Sequence, residues 1–231
     1  MIVVGTTLAA FVMDQEDTWA SWMRNAEQLQ ASHPDVKYFA AIQVDKRGLE
    51  PFKPFLDRLA AIGGEYWTYS LDDGRTSVTT ANRLRHITVG QNIVVDYSQS
   101  HPNCSHLLFM AADCMPDDDV LPKLLEMNYP LTAPFISTYC LLGPTIDSYP
   151  FPVMDAMASA AAIFIAREVF TKIRWRWDFD TGMSDDPCYH HDAKTLLNIP
   201  THVRTDVRAK HYPEAIGAIE TRGHDMSVVR D

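Results

Sequence analysis

Two groups of acids carry most of the chemistry that can be read in this 231-residue chain. The first centres on Asp113. It stops the apolar run Leu107-Leu108-Phe109-Met110-Ala111-Ala112, and Pro116 and the acids Asp117, Asp118 and Asp119 follow. A carboxylate at the end of a buried strand can hold Mg²⁺ or Mn²⁺, hard cations that prefer oxygen ligands and chelate diphosphates. It can equally cap a turn. The second group is Asp185 and Asp186, within the stretch FDTGMSDDPCYHHDAK from Phe179 to Lys194. Acids that open a helix are favoured by its dipole and stay ionised, and an ionised carboxylate beside a bound hydroxyl can serve as general base. The bland reading of the same pair is N-capping.

Other polar residues have weaker claims. Asp45 ends the apolar run YFAAIQV (Tyr38 to Val44) and precedes Lys46-Arg47-Gly48. That position suits a ribose or base contact in nucleotide-binding α/β folds, and it suits a turn equally well. Arg83 and Arg85 lie ahead of the acidic strand end, where guanidinium groups could meet a diphosphate or lie in solvent. His190 and His191 are adjacent on one helix, so they face different sides and cannot share a metal. His211 closes the run THVRTDVRAKHY (Thr201 to Tyr212), beside Arg204, Arg208 and Lys210, which read either as diphosphate contacts or as surface.

The elements that must position these residues alternate. Ile2 to Val12 reads as a strand containing Gly5-Thr6-Thr7. Asp14 to Gln30 has helical spacing at Trp19, Trp22, Met23, Ala26 and Leu29. Strand Tyr38 to Val44, helix Phe52 to Ile62 with Gly63-Gly64 as its C-cap, and aromatic strand Tyr66 to Leu71 follow. A helix within Thr76 to Tyr97 leads to the acidic strand, and a further helix starts at Asp118 or Asp119 with Pro122 in its first turn. This order predicts right-handed β-α units and a doubly wound parallel sheet. The second half predicts strands at Leu131 to Tyr139, Met157 to Ala166 and Thr201 to Tyr212. It also predicts a loop at Gly143 to Pro152, a short helix at Arg167 to Ile173, and a polar tail from Glu214.

Composition agrees with one globular domain: 46% hydrophobic and 22% charged residues. The formal net charge of −10 disfavours non-specific binding to nucleic acid or anionic membranes. The N-terminus lacks a signal-peptide pattern, and no apolar stretch reaches membrane-span length. Four cysteines without CxxC spacing read as reduced thiols, so a cytoplasmic location is expected.

The segment LLFMAADCMPDDDVLPKLL resembles the metal-motif region of nucleotide-sugar glycosyltransferases with the GT-A fold, close to family 2. There an apolar strand runs into Asp-x-Asp, then Pro, a polar run and a helix. In this chain Ala111 stands where the first acid would be, and Asp113 matches the second, which typically holds the metal. The helix with basic residues, Gly90 and Asn92 is similar to one that precedes the motif in that family. So is the small-residue strand followed by Arg167-Glu168-Val169-Phe170. Asp185 and Asp186 match the family's Glu-Asp that opens a helix, its Asp being the proposed base of inverting enzymes. A downstream His corresponding to His211 is often a further metal ligand.

The resemblance implies an α/β three-layer sandwich of GT-A type, Rossmann-like, around a mostly parallel sheet. Residues 1–231 would form one domain, with a nucleotide-binding half (1–126) and an acceptor and catalytic half (127–231). It implies a nucleotide diphosphate sugar as donor, Mn²⁺ or Mg²⁺ on Asp113 and His211, and transfer to an acceptor hydroxyl with Asp186, or Asp185, as base. Donor contacts are expected at Thr6, Asp45, Arg83, Arg85, Asn92, Ala111 and Ala112. The acceptor class is open: glycan, protein, lipid precursor or modified base. Two other readings keep the fold. A nucleotidyltransferase would usually carry a basic Gly-rich loop after the first strand, and Gly5-Thr6-Thr7-Leu8 has no Lys or Arg. A non-catalytic nucleotide-sugar-binding protein is favoured by Ala111.

Overall fold

The computed structural model describes residues 1–9, 13, 16–70, 80–112, 114–116, 119–136, 153–155, 162–178, 180–181 and 185–211. For 16–18, 80–86, 115–116, 135–136, 153–155 and 208–211 it describes the backbone alone. The expected loop Gly143 to Pro152 and the tail from Glu214 lie outside these residues.

The first half is strand–helix alternation. β1 (Ile2–Ala9), α1 (Glu16–Ser32), β2 (Val36–Gln43), α2 (Lys53–Ala61), β3 (Glu65–Tyr69), α3 (Thr80–Ser100) and β4 (His106–Met110) follow in order. Each apolar run becomes a strand and each 3.6-residue pattern a helix, with ends shifted by a few residues. β1 pairs in parallel with β2 and β4, and β2 with β3. The second half is mixed. It comprises β5 (Cys114–Pro116), α4 (Val120–Glu126), β6 (Leu131–Ile136), β7 (Val153–Asp155), β8 (Ala162–Ala166), α5 (Arg167–Phe170), α6 (Asp185–Leu197) and β9 (His202–His211). β8 lies antiparallel between β4 and β6. β6 pairs in parallel with β9, which also takes β5 and β7 in antiparallel pairing. The described strands form one sheet in the order β3-β2-β1-β4-β8-β6-β9-β5, with β7 attached to β9.

Because side chains alternate across a strand, each strand feeds two cores. Val4, Leu8, Tyr38, Ala40, Ile42, Leu108 and Met110 pack against Trp19, Trp22 and Met23 of α1, Phe55 and Leu59 of α2, and Leu121 and Leu124 of α4. Val3, Phe39, Ala41, Leu107, Phe109, Ile163 and Ile165 pack against Val94, Val95 and Tyr97 of α3, Val169 and Phe170 of α5, and Tyr189 and Ala193 of α6. Helices therefore cover both faces of the sheet, and the result is the expected three-layer sandwich.

Local signals act largely as read. Gly63 takes φ +68°, and the N–H groups of Gly63 and Gly64 close α2 onto the carbonyls of Ala60 and Leu59 at 3.0 and 2.9 Å. Asp119 is the N-cap position of α4, but no side-chain cap forms; its carboxylate pairs instead with Lys123 at 2.7 Å. Strands β5 and β7 were not expected. Each has three residues, and β5 includes Pro116, so its sequence reads as a turn. Tertiary pairing with the long β9 makes them strands. Cys104, Cys114 and Cys188 are buried thiols. Among the described residues, no helix is long and apolar enough to cross a membrane.

Candidate functional site

The parallel strands β1 to β4 carry their carboxyl ends to one edge of the sheet, where α/β folds of this kind bind ligands. Several contacts define that edge. The indole Nε1 of Trp22 donates to the carbonyl of Met110 at 3.1 Å, so α1 holds the last residue of β4. The N–H of Cys114 returns to the carbonyl of Ala111 at 3.0 Å. Asp113 lies outside the described residues. The strand after it is informative: Cys114, the next residue, is the register partner of His211 in the antiparallel β5–β9 pair. Directly opposed residues in such a pair have Cα atoms about 4.5–5.5 Å apart. Residues nearly a hundred positions apart in sequence thus meet at the carboxyl edge. The side chain of His211 is outside the described residues, and among the described residues no cluster of three metal-ligating side chains occurs.

Helix α3 connects this edge to the second acid group. Gly90 lets it approach β1: a Cβ there would stand 2.7 Å from Thr7 Cγ2 and 2.8 Å from the Tyr69 hydroxyl, the end of β3. The next residue, Gln91, is buried, and its Nε2 donates to Asp185 Oδ2 at 2.9 Å. Asp185 is itself buried, whereas Asp186 is partly open to solvent. Both lie in the first turn of α6, as expected, with Pro187 after them. Burial pushes the Asp185 carboxyl above the usual Asp range. The Gln91 hydrogen bond, backbone N–H groups and Asp186 oppose that rise. The acid pair is therefore asymmetric, one carboxyl inside and one nearer water.

Two of the expected donor contacts, Asn92 and Thr6, have structural surroundings of their own. Asn92 Nδ2 donates to the Trp175 carbonyl at 2.8 Å, and Asn92 Oδ1 accepts from the Trp175 N–H at 2.9 Å. Its amide forms this clamp, and Trp175 stacks on Tyr189 of α6 at 4.0 Å. Asn92 thereby ties α3 to the Trp175 segment and, through it, to α6. Thr6 is wholly buried, and among the described residues its Oγ1 meets no hydrogen-bond partner. It alternates onto the α1 face with Val4 and Leu8, with two residues between it and Ala9, the last of β1.

The remaining positions divide. Ala112 is 5% exposed and packs in the α1–α4 core, while Ala111 is only partly buried. Asp45 stands at the carboxyl end of β2. Its carboxylate accepts from the Arg47 N–H at 2.8 Å and pairs with the Arg47 guanidinium at 2.9 Å, which holds it below the ordinary Asp range. This is the turn role; the group stays exposed. Arg83 and Arg85 lie in the first turns of α3, their side chains outside the described residues. Arg204 is structural: it pairs with Asp206 at 2.7 Å and Glu126 at 3.2 Å, and donates to the Lys123 carbonyl. His190 is buried against Thr201 Oγ1 at 2.6 Å.

Sequence reasoning missed Gln91. Its signal was the series Thr88, Gln91, Val95 and Ser98, all buried at i, i+3, i+4 spacing. Polar residues within the inward stripe of a helix call for partners.

The mixed, largely parallel sheet with helices on both faces is a GT-A-like α/β fold, as found in nucleotide-sugar glycosyltransferases. The mannosyltransferase PcManGT from Pyrobaculum calidifontis, solved with GDP-Man and Mn²⁺, superposes with TM-score 0.57 at 9% identity, over 91% of this chain and 56% of its own. This chain thus spans little more than half of that enzyme's length. A nucleoside-diphosphate-sugar pyrophosphorylase from Vibrio cholerae RC9 superposes with TM-score 0.52 at 8% identity, over 89% of this chain and 91% of its own. The A197 protein from STIV gives 0.42 at 19% identity, over 68% and 78%. No family profile matches the chain, and no curated protein matches it in sequence.

Proposed function

We propose that this chain transfers a sugar from a nucleotide diphosphate sugar to an acceptor hydroxyl, inverting the anomeric centre. The observation that supports it most is the β5–β9 register, which sets His211 across from the residue that follows Asp113. The second acid group is tied through Gln91 to the helix that packs against the ends of β1 and β3. In this reading Asp186 takes the proton of the acceptor hydroxyl as its oxygen attacks the anomeric carbon. The bond from that carbon to the diphosphate oxygen breaks, and its electron pair leaves with the diphosphate. Asp113 and His211 are the residues that would hold Mn²⁺ or Mg²⁺; carboxylate and imidazole form an acceptable donor set. Such an ion, when bound, neutralises charge on the departing diphosphate.

Asp45, Arg83 and Arg85 are candidates for donor contacts, and Ala111 would leave the ribose without a carboxylate partner. The nucleotidyltransferase reading has less support, since Gly5-Thr6-Thr7-Leu8 offers no basic group and Thr6 is buried. The test is diphosphate release from GDP-mannose, and from a panel of UDP-, dTDP- and CDP-sugars, with Mn²⁺. Wild-type protein should release nucleotide diphosphate slowly with water as acceptor, and Asp186→Ala and Asp113→Ala should abolish it. Release of nucleoside monophosphate, or no turnover of any donor by wild type, overturns the proposal.

A further inference from the structure

We propose that Gln91 is the positioning residue of the acid pair that opens α6, its carboxamide fixing the buried Asp185 and with it the placement of the neighbouring, more exposed Asp186. The inference rests on the transferase reading for the role of Asp186, but its structural core stands alone. Gln91 comes from α3, far from α6 in sequence, and its Nε2 meets Asp185 Oδ2 at 2.9 Å with both side chains more than nine-tenths buried. The same turn of α3 makes two other connections. Gly90 approaches Thr7 and the Tyr69 hydroxyl at the strand ends, and Asn92 clamps the backbone of Trp175, on which Tyr189 of α6 stacks. Three consecutive residues therefore index α6 to the carboxyl edge of the sheet.

Gln91 has a further feature that a simple structural hydrogen bond does not require. Among the described residues its buried Oε1 meets no hydrogen-bond partner. A carboxamide presents a donor and an acceptor at equal reach, so a half-turn would offer Oε1 to a protonated Asp185. Gln91 can thus satisfy Asp185 in either protonation state. The largest influences on that carboxyl are its burial, Gln91 from α3, and Asp186 and backbone N–H groups from α6 itself; burial raises its affinity for the proton. A proton held or shared within the pair removes the like-charge repulsion that two ionised neighbours would suffer.

The test begins with the wild-type protein and needs no substrate. The side-chain amide cross-peaks of Gln91 in a ¹H–¹⁵N spectrum should move with pH, with a midpoint above the ordinary Asp range, and the movement should vanish in Asp185→Asn. Gln91 resonances that ignore pH, or that titrate identically in Asp185→Asn, overturn the proposal. In kinetics with GDP-mannose and Mn²⁺, Gln91→Met should lower kcat by about 10²-fold, the scale of a misplaced catalytic group, with KM for the donor unchanged. Unchanged kcat in folded Gln91→Met also overturns it. Absence of turnover in wild type would refute the transferase reading, and the amide titration would still decide the role of Gln91.

Discussion

Replacing Asn92 by alanine separates a structural clamp from a ligand contact. Asn92 makes two hydrogen bonds to the backbone of Trp175, at 2.8 and 2.9 Å, and Trp175 is 2% exposed. Removing the amide strands one N–H and one C=O. Each such loss costs about 1–1.5 kcal/mol when water can partly compensate, more when it cannot. Alanine returns about 0.6 kcal/mol of helix propensity within α3. The net expectation is a loss of about 2 kcal/mol, or about 30-fold in the folding equilibrium. Urea denaturation followed by tryptophan fluorescence measures it as a lower midpoint at unchanged slope. Binding of GDP or UDP with Mn²⁺ should remain within about twofold, since less than 0.5 kcal/mol would then separate the two proteins. A variant of wild-type stability with strongly weakened nucleotide binding would refute the clamp and restore Asn92 as a donor contact.

Three further outcomes follow from the same contacts. Asp185 has a raised proton affinity in the folded chain relative to an ordinary Asp near 3.9. The folded state therefore binds the proton more tightly, and its contribution to stability is present below the ordinary Asp pKa and lost as pH rises through the folded midpoint. Asp185→Asn should accordingly gain stability relative to wild type between mildly acid and neutral pH; urea midpoints across that range show whether the gap widens. Gly90→Ala places a methyl group against Thr7 Cγ2 and the Tyr69 hydroxyl and should cost about 1–3 kcal/mol by calorimetry. By contrast, Arg58→Met removes an ion pair to Glu27 at 2.8 Å whose side chains are 32% and 40% exposed, and should change stability by less than about 1 kcal/mol.

Much of the architecture was legible because burial imposes periodicity. The cores of β2 and β4, Tyr38 to Ile42 and Leu107 to Met110, are apolar throughout because each faces a helix layer on both sides. The Trp19, Trp22, Met23 and Ala26 spacing lies on the inward face of α1. The pairing of β8 between β4 and β6 was not legible, since a short apolar strand reads alike in either direction. Nor were β5 and β7, whose sequences suit turns and become strands through β9. At the site, Asp185 and Asp186 could be placed at a helix start from local chemistry alone. Which of them is buried depends on α3 and has no local signal. The structural surroundings of Asn92 and Thr6 had no local signal either: one is bonded to a distant backbone segment and the other is buried in β1. Asn92 answers a backbone segment 83 residues away, a partner invisible to spacing.

In the proposed transferase, Asp113 and His211 would bind a cation together with a diphosphate. Electron paramagnetic resonance of Mn²⁺ titrated into the protein with GDP or UDP tests it most directly. The account predicts that protein and nucleotide diphosphate together deplete the free-Mn²⁺ signal beyond what the nucleotide alone does, that Asp113→Ala abolishes the excess, and that His211→Ala weakens it. Equal depletion by wild type and both variants would contradict it.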